Sequence, residues 1–234
     1  MIFTSAPVAA VLSTGKSTVR SVDLAGPAGK LEAILNEGSP EAPFAALVCH
    51  PHPKGGGTLH NKVVYHAMKV LNAPEFGLRW PVLRFNFRGT GRSEGKHDGS
   101  AEVGDVLAAF DWLEDAFRRP LVAVGFSFGA VMVLHACSAQ GVSRTVRAVA
   151  ALGLPIRIDG RQSDYSFLTH CSLPKLFLSG ARDEFAAAAD LRCVAATTAE
   201  PKKLVLLPGA DHFFAGQLEA MQNELARWLK ECAP

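Results

Sequence analysis

A serine flanked on both sides by a glycine two residues away can be made reactive, and the chain carries that pattern twice. One copy is Gly125-Phe126-Ser127-Phe128-Gly129, the other Gly91-Arg92-Ser93-Glu94-Gly95. A serine hydroxyl is a weak nucleophile. It attacks a carbonyl only when a neighbouring base takes its proton and a third group orients that base. The chemistry in question is therefore acyl transfer, and the bare pattern is weak evidence for it. Context separates the two serines. Ser127 follows the apolar run LVAVGF at once and opens a second run, GAVMVL. Strand, tight turn and helix in immediate succession make a nucleophile elbow. Glycines at its two sides remove Cβ atoms that would strike the backbone of so tight a turn. Ser93 lies in RGTGRSEGKHDG, a glycine-rich, charged segment set back from its strand, with no apolar helix behind it. It reads as part of a flexible loop.

For a serine on such an elbow the acid and then the histidine follow in chain order. Beyond the helix that Ser127 opens lie two histidines, His170 and His212; His135 falls inside that helix. His212, in LVLLPGADHFF, comes directly after the last apolar run, on a loop able to bend back over the strand ends. His170, in SFLTHCSLP, precedes a strand and suits a surface or core position. Asp183, in LFLSGARDEF, stands just past its own strand and is the expected acid. Glu184 beside it and Asp211 beside His212 are the alternatives, though side chains of adjacent residues such as Asp211 and His212 diverge. The expected triad is Ser127, His212 and Asp183.

Attack on a carbonyl creates an oxyanion, which needs two positioned N–H donors. One falls to Phe128, the residue after the nucleophile. The other should lie in CHPHPKGGGTLHNKV, after an earlier strand. Pro51 and Pro53 have no N–H. His52 between them is the best-placed donor, with Lys54 and Gly55 also in reach. The same loop holds His50, His52 and His60, but no carboxylate follows at ligand spacing and no second cluster completes a shell. No metal is expected there. A Cys49–His50 dyad is poor, because strand neighbours face opposite sides. Cys137, Cys171, Cys193 and Cys232 read as ordinary thiols.

These residues need a frame. TVRSVDLA and KLEAIL, joined through GPAG, read as an antiparallel hairpin. FAALVCH, PVLRFNF, LVAVGF, VRAVAALG, KLFLSG and KLVLLPG read as further strands, and HNKVVYHAMKVLN and GAVMVLHACSA as helices. Ser100 to Phe117 is a third, amphipathic helix, with Val103, Leu107, Phe110, Leu113 and Phe117 on one face and Ser100 as N-cap. A last helix runs from about Phe214 to Lys230, its inner stripe Phe214, Leu218, Met221, Leu225 and Leu229. Nearly continuous apolar strands alternating with helices imply an α/β fold: a mostly parallel sheet of about seven or eight strands, helices on both faces. In such sheets function sits at the carboxyl ends of the strands. No linker divides the chain, so one domain over residues 1–234 is expected.

Composition narrows the partners. With 20% charged residues and a net charge of +2, there is no electrostatic case for nucleic acid or an anionic membrane. Gly, Pro or charge breaks every apolar run well short of the roughly 20 residues a membrane span needs. MIFTSAPVAAVLSTGKS has an apolar patch with no basic residue before it, so no secretory leader is expected. Five cysteines, an odd number with no C-x-x-C, fit free thiols in a reducing compartment, and a cytoplasmic location is expected.

HPHPKGGGTLHNKV, FNFRGTGRSEG, GFSFGA, SGARDEF and GADHFF together resemble the α/β-hydrolase superfamily. Within it they are similar to a small bacterial group of lidless serine hydrolases related to dienelactone hydrolases and esterases. The resemblance covers most strand-end loops from about residue 44 to 215. It implies the α/β-hydrolase fold, aligns the family's triad with Ser127, Asp183 and His212, and makes RGTGRSEG a structural loop. Dienelactone hydrolases proper use a cysteine where this chain has Ser127. Many relatives have His-Gly at the oxyanion loop where this chain has His50-Pro51. Only a short stretch separates AALGLPI from LPKLFL, too little for a sizeable cap, so an open, shallow site is expected. Phe126, Phe128, Tyr165, Phe185 and Phe213 would line an apolar pocket for short- to medium-chain esters or thioesters. Lys54 and Arg88 read as solvated loop charges. A small-molecule ester or thioester is the expected partner, and no cofactor is expected. Peptidase or amidase action on the same fold, and ligand binding without catalysis, are the alternative readings. Retention of all three triad residues argues against the last.

Overall fold

The computed structural model describes residues 18–138, 145–158 and 161–232. The N-terminal segment read above for a leader lies outside them, as does Ala139 at the end of the expected helix GAVMVLHACSA. Strands β1 (Val19–Gly26) and β2 (Gly29–Asn36) form the antiparallel hairpin, with Val19 opposite Asn36. The chain then alternates: β3 (Ala45–Cys49), α1 (Lys62–Asn72), β4 (Val82–Phe85), α2 (Glu102–Phe117), β5 (Leu121–Phe126), α3 (Phe128–Ser138) and β6 (Val146–Leu152). A two-stranded ribbon follows, β7 (Arg157–Ile158) with β8 (Arg161–Gln162). Then come β9 (Lys175–Gly180), α4 (Ala188–Thr197), β10 (Lys202–Leu207) and α5 (Leu218–Cys232).

Eight strands make one sheet in the order β1-β2-β4-β3-β5-β6-β9-β10. Antiparallel pairing ends at β2–β4, and every pair from β4 to β10 is parallel. The strands read as unbroken apolar runs because both sheet faces are covered. β5 shows this directly. Leu121 and Ala123 enter the core beneath α2, α3 and α4, whereas Val122, Val124 and Phe126 enter the core beneath α1 and α5. Parallel pairing aligns the carboxyl ends of β3, β5, β6, β9 and β10 along one edge, where the loops of interest begin.

Several elements differ from expectation. α2 starts at Glu102 without a side-chain cap, not from Ser100: Asp98 Oδ1 accepts the N–H groups of Ser100 and Ala101 in the turn just before the helix, at 2.7 and 2.8 Å. Its deepest stripe is Val106, Ala109, Phe110 and Leu113, with Val103, Leu107 and Phe117 only partly buried. α5 starts at Leu218, because Phe214 has φ of 54° and turns the chain before the helix begins. α4 was not expected at all; it buries only Leu191 and Ala195, too little apolar surface for a visible stripe. The loop holding Ser93 is pinned, not flexible. Ser93 Oγ donates to Asn86 O at 2.6 Å and accepts the Glu32 N–H at 2.9 Å, and the Glu94 carboxylate accepts the Lys30 N–H at 2.7 Å.

Candidate active site

Ser127 occupies the single residue between β5 and α3, with φ of 54°. A non-glycine residue there costs on the order of 1–3 kcal/mol, and the surrounding structure must hold it. The Ser127 N–H donates to Leu152 O on β6 at 2.9 Å. A Cβ on Gly125 would lie 2.3 Å from Gly129 O, and one on Gly129 would lie 2.6 Å from Cys49 O. Backbone cannot step aside as a side chain can. Gly125→Ala is expected to lose at least roughly 1–3 kcal/mol by overpacking, which at about 2–4 °C per kcal/mol is a drop of several degrees in Tm. A thermal melt that overlays the wild type contradicts this account of the elbow.

The edge brings the three expected residues into line. His212 Nε2 lies 3.0 Å from Ser127 Oγ, and His212 Nδ1 lies 2.9 Å from Asp183 Oδ2. Asp183 is buried and has two further donors: the Ser179 hydroxyl on Oδ2 and the Phe185 N–H on Oδ1, both at 2.9 Å. With Asp183 accepting, Nδ1 of His212 carries the proton and Nε2 faces the serine as acceptor. The loop bearing His212 comes close because Gly180 has no side chain; a Cβ there would be 2.3 Å from Ala210 O. The imidazole sits among the rings of Phe126, Phe185 and Phe213, with centroids 5.0, 4.6 and 5.1 Å away. The alternatives are elsewhere. Glu184 is exposed, Asp211 Oδ1 accepts the Ala215 N–H at 2.9 Å, and the exposed His170 ends a 3₁₀ turn.

Two donors were expected near Ser127 Oγ. Phe128 is the first residue of α3, so its N–H has no acceptor within the helix. In the loop after β3, the Lys54 N–H donates to His52 Nδ1 at 3.1 Å and the Gly55 N–H to His52 O at 3.0 Å. Those two N–H groups are consumed by the turn at Pro53–Gly55, and His52 lines the cavity beside Ser127. His50 anchors the loop's root. Its Nδ1 donates to Pro51 O at 2.7 Å and its Nε2 accepts the Phe87 N–H at 3.0 Å. Burial pushes its imidazole down to about 4, so it stays neutral at physiological pH.

Ser127 and His212 open into a cavity of about 440 Å³ that His52, Lys54, Phe128, Phe185 and Phe213 help to line. Phe185 and Phe213 are 39% and 49% exposed on its rim. Phe126 and Tyr165 do not line it. Phe126 is buried beneath His212, and Tyr165 is buried with its hydroxyl donating to Pro155 O at 2.5 Å, supporting the wall from behind. Arg88 is not a solvated charge either. It is buried, and its guanidinium pairs with the buried Asp105 carboxylate at 2.7 Å. A cleft of about 470 Å³ near Glu114, Arg118 and Arg147 is slightly larger, but it lies at the amino ends of β5 and β6 and holds no candidate nucleophile. Among the described residues no group of three or more His, Cys, Asp or Glu is arranged to hold a metal ion. No described helix is long and apolar enough to cross a membrane.

This geometry can be set beside known proteins. Residues 46–233 match the family described as the alpha/beta hydrolase domain. An uncharacterized protein of Rickettsia prowazekii is 35% identical over 215 residues, spanning 87% of this chain and 86% of its own. An alpha-beta serine hydrolase homologue from Coxiella burnetii superposes with a TM-score of 0.78 at 31% identity, covering 89% of this chain and 96% of that one. A serine hydrolase without lid from Xanthomonas campestris gives a TM-score of 0.77 at 28% identity, covering 93% and 96%. With a family match over most of its length and an elbow, acid and histidine at the expected strand ends, the chain belongs to the alpha/beta hydrolase family.

Proposed function

We propose that the protein is a serine hydrolase that cleaves carboxylic esters or thioesters through an acyl-enzyme on Ser127. The observation that carries this reading is the unbroken line from Asp183 through His212 to Ser127 Oγ, ending at a solvent-open cavity. His212 Nε2 takes the hydroxyl proton as Oγ attacks the carbonyl carbon. Asp183 keeps the proton on Nδ1 and stabilises the imidazolium that forms. The N–H groups of Phe128 and His52 hold the oxyanion. His212 then gives its proton to the departing alcohol or thiol. In the second half, His212 activates water, which attacks the acyl carbon and releases the acid and Ser127.

The rim phenyl groups support an apolar acyl or alkyl group. Each offers partly exposed aromatic surface beside the imidazole. Loss of about 1 kcal/mol of apolar contact corresponds to about fivefold in affinity. Phe185→Ala and Phe213→Ala are each expected to raise KM for a medium-chain p-nitrophenyl ester about fivefold, with less effect on the acetate. A panel of esters of graded chain length, run beside acylaminoacyl-peptides, tests the reading. Faster turnover of the peptides, or rim variants with no dependence on chain length, overturns the ester assignment.

A further inference from the structure

We infer that Glu102, His97 and His52 form a second relay, running from a buried carboxylate to a half-buried imidazole, that positions the oxyanion loop; this rests on the hydrolase reading above. The charge at its base is Glu102, the first residue of α2 and wholly buried. Its carboxylate accepts the N–H groups of Asp98 and Gly99, both at 3.0 Å. Its Oε1 also lies 2.5 Å from His97 Nδ1, a close contact off the axis of a hydrogen bond. His97 Nε2 lies 3.3 Å from His52 Nε2.

The tautomers follow from the partners. His52 Nδ1 accepts the Lys54 N–H, so a neutral His52 carries its proton on Nε2. That proton points to His97 Nε2, which must accept it. His97 then carries its own proton on Nδ1, the nitrogen beside Glu102 Oε1. The order Glu102–His97–His52 repeats that of Asp183–His212–Ser127, with an imidazole in place of the hydroxyl. Its work differs. Both ring nitrogens of His52 are engaged, so the ring cannot exchange protons with substrate unless it abandons a partner. What the ring does is tether the residue whose backbone N–H is the candidate second oxyanion donor. The Phe128 ring meets both imidazoles edge to face, with centroids 5.1 Å from His52 and 5.4 Å from His97. The brace therefore touches both residues that supply the oxyanion donors. His97 reaches this position because Gly89, at φ of 70°, lets the loop fold close; a Cβ there would be 2.8 Å from His97 N. His97 and Glu102 are thus positioning residues, not catalytic ones.

Two measurements test this on the full chain. Long-range proton–nitrogen NMR at neutral pH is expected to find His52 protonated on Nε2 and His97 on Nδ1; the opposite tautomers overturn the relay whatever the enzyme turns over. Steady-state kinetics with p-nitrophenyl butyrate supply the second readout. Loss of a whole oxyanion donor costs about 10²- to 10³-fold in kcat, and a misplaced donor less. His52→Ala keeps the N–H and is expected to lower kcat roughly 10- to 100-fold with KM within about twofold. His97→Ala is expected to do the same, and the double variant to be no worse than either, the signature of one coupled unit. If His97→Ala fails to fold because Glu102 loses its partner, His52→Ala leaves that contact intact and carries the kinetic test. Folded His52→Ala with wild-type kcat, or losses that multiply, overturns the brace alone. A wild type with neither ester turnover nor a fluorophosphonate adduct overturns the hydrolase reading and the positioning role with it.

Discussion

Replacing Ser127 with alanine is expected to lower kcat on an activated ester by about 10⁴- to 10⁶-fold while the protein stays folded. Alanine has the same Cβ as serine, so it meets the φ of 54° with the same strain and opens no new clash. What disappears is the one oxygen 3.0 Å from His212 Nε2. The oxyanion donors and the cavity remain, and in serine hydrolases such remnants leave a residual rate about 10³- to 10⁴-fold above water. The measurement is turnover of p-nitrophenyl butyrate. It is paired with mass spectrometry after a fluorophosphonate probe, which is expected to modify Ser127 in the wild type and nothing in the variant. An adduct on Ser93 would defeat the assignment, as would turnover by Ser127→Ala within tenfold of the wild type. Ser93 is a poor target on physical grounds, because its hydroxyl already donates to Asn86 O and accepts from Glu32 N.

The ends of the strands were legible in the sequence because a parallel sheet leaves a clear trace. Its strands are buried on both faces, so each appears as an apolar run, and whatever follows a run sits on the functional edge. Ser127, Asp183 and His212 could be picked out by that rule before any distance was known. What resisted reading were side chains whose role depends on a partner far along the chain. Arg88 looks like a solvated loop charge until Asp105, one helical turn into α2, turns up beneath it. Tyr165 looks like a pocket residue until its hydroxyl finds Pro155 O. The Glu102–His97–His52 brace was invisible for the same reason. It joins the loop after β3 to the glycine-rich loop after β4 and to the start of α2, and no spacing along the chain announces it. The misplaced helix ends have a more local cause. Ser100 does not cap α2 because the Asp98 carboxylate holds the N–H groups of Ser100 and Ala101 in the preceding turn, an arrangement set by loop geometry.

Asp183→Asn is the sharper test of the triad, because it changes almost no volume and yet should lower kcat about 10⁴-fold. The argument lies in the acid's three donors. Oδ1 accepts the Phe185 N–H, and Oδ2 accepts both the Ser179 hydroxyl and His212 Nδ1–H. An asparagine must keep its carbonyl oxygen toward the Phe185 N–H, since a backbone donor cannot reverse. Its NH₂ group then occupies the Oδ2 position and points at His212 Nδ1. Two donors cannot face each other, so the imidazole shifts its proton from Nδ1 to Nε2. The nitrogen 3.0 Å from Ser127 Oγ then carries a hydrogen and cannot take another. The Ser179 hydroxyl can rotate and accept instead of donating, so the fold should survive the change, with Tm within a few degrees of the wild type. KM should move little, because Asp183 lies behind His212 and outside the cavity. Asp183→Asn with kcat within tenfold of the wild type would mean that Asp183 does not set the tautomer of His212.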